Sequence, residues 1–125
     1  MDASIRQVDV AAFEVPTEAP ESYGTLAWDC TTLIAVHLHA SGRTGLGYSY
    51  CHRAAAQLID DKLKPLLIDA HAFATPRLWD RICRAVRNIG RPGIASCAIA
   101  AVDTALWDLK ARLLELPLLD LLGAA

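Results

Sequence analysis

Residues 94–114, IASCAIAAVDTALWDLKARLL, decide how this chain folds. At about 100° per residue, Ala95, Ala98, Ile99, Val102, Ala105, Leu106, Leu109 and Leu113 fall on one broad apolar arc. Ala100, Trp107, Ala111 and Leu114 make a second arc, so the helix is expected to pack on two sides. Its alanines allow neighbours to approach closely. Thr104, Asp108, Arg112 and Glu115 face away from the first arc, and Asp103 and Lys110 fall between the two. Asp103 is the one acid where a core helix should not want one. Pro117 is expected to end the helix, followed by a short helical turn in LLDLLGA.

The residues just before it also read as helical. In 54–64, Ala55, Leu58, Ile59 and Leu63 recur at helical spacing, and Pro65 is expected to stop the helix. Thr75-Pro76 reads as an N-cap followed by proline at the first helical position. Leu78, Ile82, Val86 and Ile89 then form a buried stripe, and Gly90 is the expected C-cap.

The first half has period two. Residues 4–15 read as a strand closed by Pro16, and residues 16–28 as a loop broken by two prolines and a glycine. In 30–40, Ile34, Val36 and Leu38 share one face while Ala35, His37 and His39 share the other. Residues 44–50 follow after a turn at Ser41-Gly42-Arg43, which implies an antiparallel hairpin. The expected fold class is α+β, a three-stranded antiparallel meander followed by a bundle of three main helices.

With 125 residues the chain fits one domain, and its 54% hydrophobic content excludes a disordered tail. The apolar excess implies either a tight core or a face covered by a partner. A net charge of −2 without a basic cluster argues against nucleic acid as a partner. No apolar run approaches the roughly 20 residues that span a bilayer. Cys30, Cys51, Cys83 and Cys97 lack C-x-x-C spacing, and the start carries charges where a signal peptide would be apolar. Reduced thiols in a cytoplasmic protein are expected.

Several residues invite a functional interpretation. His37 and His39 share a strand face, with Cys51 and His52 nearby, but a wet sheet face accounts for the pair more simply than zinc. Asp103 has no partner carboxylate, so a semi-buried acid satisfied by loop backbone or an arginine is expected. Asp108 is expected to be solvated or paired with Arg112. Trp79 and Trp107 read as core groups, and Arg81, Arg84 and Arg87 as a solvated helix face. Tyr23 and Trp28 either pin their loop to the core or face a ligand.

The order of these features resembles the N-terminal capping domain of the mandelate racemase and muconate lactonizing enzyme family, in the enolase superfamily. The resemblance rests on Ala98, Ala101-Val102-Asp103, Ala105-Leu106-Trp107-Asp108, Lys110, Leu116-Pro117 and Leu121-Leu122-Gly123, with Gly42, Gly45 and Gly47 in the strands. Glu115 and Ala124 depart from it, standing where glycine is common. The resemblance implies a capping domain over residues 1–117, with 118–125 beginning the connection to a (β/α) barrel. Such enzymes abstract a proton next to a carboxylate with Mg²⁺, acting as racemases, epimerases, cycloisomerases or acid-sugar dehydratases on small carboxylate substrates. Catalytic residues and metal ligands belong to the barrel, so none is assigned here and the chain alone is expected to be inactive. The resemblance gives residues 16–28 and about 48–52 the role of closing over the barrel mouth. Tyr23, Trp28, Tyr48, Tyr50 and His52 are therefore the candidate specificity residues, while Asp103, Trp107 and Asp108 are structural. A homo-oligomer is also implied. The alternative is a stand-alone, non-catalytic domain that binds a partner or self-associates through the face a barrel would cover.

Overall fold

The computed structural model describes residues 1–123. Strands β1 (Gln7–Tyr23), β2 (Leu26–Ala40) and β3 (Arg43–Tyr50) form an antiparallel sheet in the order β1-β2-β3. Ser41 and Gly42 join β2 to β3 with φ of 46° and 75°. Positive φ at both central residues is what a two-residue hairpin needs to match the strand twist. Helices α1 (Ala54–Leu58), α2 (Lys64–Leu67), α3 (Thr75–Ala85), α4 (Ile94–Leu113) and α5 (Leu118–Leu122) follow. A π-helical turn, Ile59–Leu63, joins α1 to α2. The three main helical stretches are therefore 54–67, α3 and α4; 54–67 and α4 cover one face of the sheet, and α3 packs against these helices. Of the stretch 118–125, Leu118–Leu122 form α5, and Ala124 and Ala125 lie outside the described residues.

One core holds these layers together. Val8, Ile34, Val36 and Leu38 from the sheet meet Ile59, Leu63, Leu67, Ile82, Val102, Leu106 and Leu109 from the helices. Helix α4 packs on β3 and β2 on one side and on α1 and α3 on the other. All eight residues of its first arc are buried. The second arc is only partly covered: Ala111 is buried, whereas Ala100 and Leu114 are exposed. Ala101, absent from both arcs, is buried because β3 lies against it.

That approach depends on two glycines. A Cβ on Gly47 would collide with the Ala101 carbonyl and lie 2.5 Å from the Ala105 nitrogen. One on Gly45 would collide with the Ala105 carbonyl and lie 2.6 Å from the Leu109 Cβ. The obstacle is largely helix backbone, which cannot swing aside as a side chain can. Asp108 fastens the same contact, because its Oδ2 accepts the Leu46 N–H at 2.8 Å and the Arg112 Nε–H at 2.9 Å.

Several local expectations are corrected. Residues 16–28 are not an irregular loop. β1 runs through Pro16, which pairs with Cys30, and four residues (Thr17–Pro20) bulge opposite Asp29 before pairing resumes at Glu21 and Trp28. Proline is tolerated there because β1 is an edge strand and need donate on one side only. Pro65 does not stop the first helical stretch, which turns through the wider π geometry just before it and continues to Leu67. Thr75 is not a side-chain cap; it is the first residue of α3 and fully buried. α3 ends at Ala85 rather than near Gly90, leaving Ile89 exposed. α4 closes before Pro117. Leu116 N–H bonds the Ala111 carbonyl at 3.0 Å and Glu115 N–H bonds that of Arg112 at 3.2 Å. Glu115 sits at φ 56° between them, the left-handed position that favours glycine.

Candidate functional site

The extended hairpin arm carries the first two candidate residues. Gly24 (φ 58°) and Thr25 turn the chain, and Tyr23 pairs with Leu26 at the tip. Tyr23 is 82% exposed, so it does not pin the arm to the core. Thr17 Oγ1 lies 2.7 Å from the Ala19 carbonyl and 3.0 Å from that of Asp29, holding the bulge in shape. Trp28 Nε1–H donates to Glu21 Oε2 at 2.9 Å, which fixes the indole across the arm.

Strand register decides what this indole meets. Phe13 pairs with Leu33, and Leu33 pairs with Tyr50, so the three share the sheet face turned away from the helices. There the bulged arm, Leu33 and Tyr50 enclose a groove of about 670 Å³, lined by Val15, Pro16, Glu21, Trp28, Leu33 and Tyr50 among others. Tyr48 stands next to Tyr50 with ring centroids 6.0 Å apart in an edge arrangement, a favourable geometry for aromatic pairs. Both tyrosines remain largely exposed.

His52 is elsewhere. Its Nδ1 accepts the Ala54 N–H at 3.0 Å, bridging the start of α1. It lines a separate cleft of about 340 Å³ with Val10, Ala12, Arg53, Gln57 and Asp60, on the helix side of the sheet. The structure thus brings together Trp28 and Tyr50, places Tyr48 beside them, leaves Tyr23 at the arm tip and puts His52 in another cleft. Val15, Pro16 and Leu33 also line the groove, although no motif in the sequence marks them as site residues. Their signal was the period-two pattern continuing through Pro16, which sets Val15 on the same face as Phe13.

The remaining polar groups are engaged locally. His39 Nε2 lies 2.8 Å from Asp9 Oδ2, and its Nδ1 lies 2.9 Å from Thr44 Oγ1. Hydrogen bonds from the Gln7 side chain and from His39 hold the Asp9 carboxyl below the usual range. Cys30, Cys51, Cys83 and Cys97 are all free thiols. Among the described residues, no group of three or more His, Cys, Asp or Glu can hold a metal ion. No helix among the described residues is long and apolar enough to cross a membrane.

Asp103 and the tryptophans depart from expectation. Asp103 is half-buried, and its Oδ1 is buried without a hydrogen-bond partner rather than satisfied by backbone or an arginine. Burial pushes its carboxyl above the usual range. Two cations sit against the tryptophans: Arg91 lies 5.0 Å from the Trp79 ring centroid and Lys110 lies 5.0 Å from that of Trp107. Neither indole is a core group. Trp79 is 39% exposed, Trp107 is half-buried, and together they wall a surface cleft.

The fold is that of an α+β module with an aromatic groove and no metal centre of its own among the described residues. Its sequence matches the pattern of the mandelate racemase/muconate lactonizing enzyme N-terminal domain over residues 6–123, and the chain belongs to that family, within the enolase superfamily. It is 35% identical over 122 residues to a 3,6-anhydro-alpha-L-galactonate cycloisomerase of Streptomyces coelicolor, covering 94% of this chain and 34% of that protein. A solved mandelate racemase/muconate lactonizing enzyme-like protein from Rubrobacter xylanophilus superposes with a TM-score of 0.91 at 47% identity, over 94% of this chain and 33% of that one. An L-talarate dehydratase from Polaromonas sp. JS666, solved with Mg and L-glucarate, superposes with a TM-score of 0.83 at 30% identity, over 98% of this chain and 35% of that one. The chain thus spans about one third of the length of these relatives.

Proposed function

We propose that this chain is the capping, substrate-specificity part of an enzyme that abstracts a proton next to a carboxylate. The barrel of the same full-length protein supplies the Mg²⁺ ligands and the bases. The metal, when bound there, stabilises the negative charge that develops on the substrate carboxylate. This chain's contribution is to cover the substrate, exclude water and shape the site's outer wall. The substrate is a small carboxylate such as a sugar acid, and the working enzyme is a cytoplasmic homo-oligomer.

The observation that carries this proposal is the groove between the hairpin arm and Tyr50. It presents apolar and aromatic side chains, and its one carboxylate, Glu21, is held by Trp28. Such a wall can select substrates but holds no acid–base pair. Tyr23 and Tyr48 extend it, and His52 borders the neighbouring cleft. Asp103, Trp107 and Asp108 act structurally.

A fusion of this chain to the barrel portion of the Streptomyces coelicolor cycloisomerase tests the proposal. The fusion should turn over a sugar-acid substrate. Tyr50→Ala and Trp28→Ala should raise KM several-fold with smaller effects on kcat, the pattern of lost uniform binding. A folded fusion whose kinetics ignore both substitutions would count against it. A second reading, self-association without catalysis, draws on the exposed Phe13, Leu46 and Tyr48 of the outer sheet face. A monodisperse monomer of the isolated chain by light scattering at high concentration would exclude it.

A further inference from the structure

The two glycines that let β3 lie on α4 also fix what stands at the far end of that contact. A Cβ on Gly45 would fall 2.6 Å from the Leu109 Cβ, and one on Gly47 would fall 3.0 Å from the Ala105 Cβ. Two residues along the strand thus answer to four along the helix. The lengths agree, at about 6.7 Å of strand against about 6 Å of helix, and alternate strand residues share a face. The next step sets Ser49 opposite Ala101, and Ser49 Oγ donates to the Cys97 carbonyl at 2.9 Å. The step after that sets Cys51 opposite Cys97. The strand holds its course that far, because the Cys51 N–H bonds the Thr32 carbonyl at 3.2 Å and prolongs the pairing of β3 with β2.

The two thiols meet where this register places them. Burial, and after it a hydrogen bond with the Cys97 side chain, push the Cys51 thiol above its usual range. A disulfide needs Cβ atoms about 3.5–4.5 Å apart and Cα atoms about 4.4–6.8 Å apart. Ser49 reaches the helix backbone with one short side chain, so strand and helix are close enough at this level for such a bond. Both cysteines are free and partly exposed, so a small reagent can reach them. Cys30 and Cys83 belong to other elements, β2 and α3.

We infer that Cys51 and Cys97 are a redox-sensitive pair, closed to a disulfide by a low-molecular-weight disulfide such as oxidised glutathione and reopened by the reduced thiol. One cysteine, as its thiolate, attacks a sulfur of the small disulfide. A new S–S bond forms, the old one breaks, and the departing thiolate takes up a proton. The second cysteine then loses its proton and attacks the protein sulfur of the mixed disulfide, which closes the bridge and expels the second small thiol. Two protein thiols are oxidised, one small disulfide is reduced to two thiols, and the protons lost by the cysteines end on them. The bridge ties the end of β3 to the first turn of α4 and holds Tyr50 and His52, the chain neighbours of Cys51. Where glutathione keeps thiols reduced, bridges of this kind are transient and report oxidation. The inference rests on the packing of β3 on α4 and not on the capping role.

The test incubates the folded 125-residue chain with oxidised and reduced glutathione at fixed total concentration, quenches with acid and maps the disulfides by peptide mass spectrometry. A Cys51–Cys97 bridge within one chain is expected. It should form at a ratio of oxidised to reduced glutathione about tenfold or more below that which modifies the exposed Cys30, because its second step is intramolecular. The bridged chain should keep its circular dichroism spectrum and unfold at a higher urea concentration than the reduced chain, since the bond closes a long loop. Cys51→Ser and Cys97→Ser should each abolish the bridge and leave the other cysteine as a glutathione adduct. A chain carrying Cys30→Ser and Cys83→Ser should still form it, and serves if either of the first two variants fails to fold. Glutathione adducts on Cys51 and Cys97 without a bridge, both thiols still free where Cys30 is already modified, or a bridge formed only between chains overturns the inference. A bridge that forms only in urea, or that lowers the urea midpoint, does so too. An inactive barrel fusion would leave the bridge in place, so the redox pair and the capping role fail separately.

Discussion

Gly47→Ala should be among the most damaging single-methyl additions to this chain. Its Cβ would meet the Ala101 carbonyl and lie 2.5 Å from the Ala105 nitrogen. Both are backbone atoms inside α4, so relief requires β3 to lift from the helix. Overpacking a tight core costs roughly 1–3 kcal/mol, and a backbone obstacle puts this case at about 3. The unfolded-state gain from replacing glycine is about 0.4–1 kcal/mol, leaving a net loss of about 2–2.5. That is a large share of the roughly 5–15 kcal/mol that holds a typical domain. Urea unfolding followed by circular dichroism should show a lowered midpoint with little change in slope. In a barrel fusion the lifted strand should also displace Tyr48 and Tyr50. A Gly47→Ala variant within about 0.5 kcal/mol of the parent would refute the close packing of β3 on α4.

Other perturbations have definite signs. Glu115→Gly should stabilise by about 0–1 kcal/mol, because glycine relieves the left-handed backbone while the exposed 2.8 Å pair with Arg43 contributes little; urea midpoints measure it. Asp108→Ala leaves the Leu46 N–H without its acceptor and should cost about 1 kcal/mol, with faster amide exchange at Leu46. Asp103 has a raised carboxyl pKa, so the folded state favours its protonated form. The stability this brings is complete below the ordinary value of 3.8 and is lost as pH rises through the folded value. Asp103→Asn should therefore gain stability relative to the parent as pH rises from roughly 4 to 7. A flat difference between the two unfolding curves would contradict the burial of that carboxylate.

The sheet-on-helix architecture was legible because its signals were periodic and redundant. The first arc of α4 is buried throughout, and the inward run Ile34, Val36, Leu38 faces it. Where expectation failed, tertiary context outweighed a local rule. Pro16 and Pro20 read as breakers, yet an edge strand absorbs one in its ladder and the other in a bulge. Pro65 read as a stop, yet a π-helical turn lets it begin a new α-helical segment. Thr75 has the sequence of a cap, but burial carries its hydroxyl away from that task. Of the candidate site, Trp28 and Tyr50 are named from residue type and the family resemblance, whereas their shared groove depends on a register shift between Pro16 and Glu21. No local pattern marks such a shift. The buried, unpartnered atoms of Thr75 and Asp103 were equally hidden, because the two residues are far apart in sequence and only the packing of α3 on α4 brings them to one cleft.

The most direct test of the capping role is deuterium exchange at the α-carbon of a sugar-acid substrate, followed by NMR in D₂O with Mg²⁺. The isolated chain should give no exchange above buffer, and its fusion to the cycloisomerase barrel should restore it. Exchange by the isolated chain, or a folded fusion that leaves the α-proton untouched, would contradict the division of labour between cap and barrel.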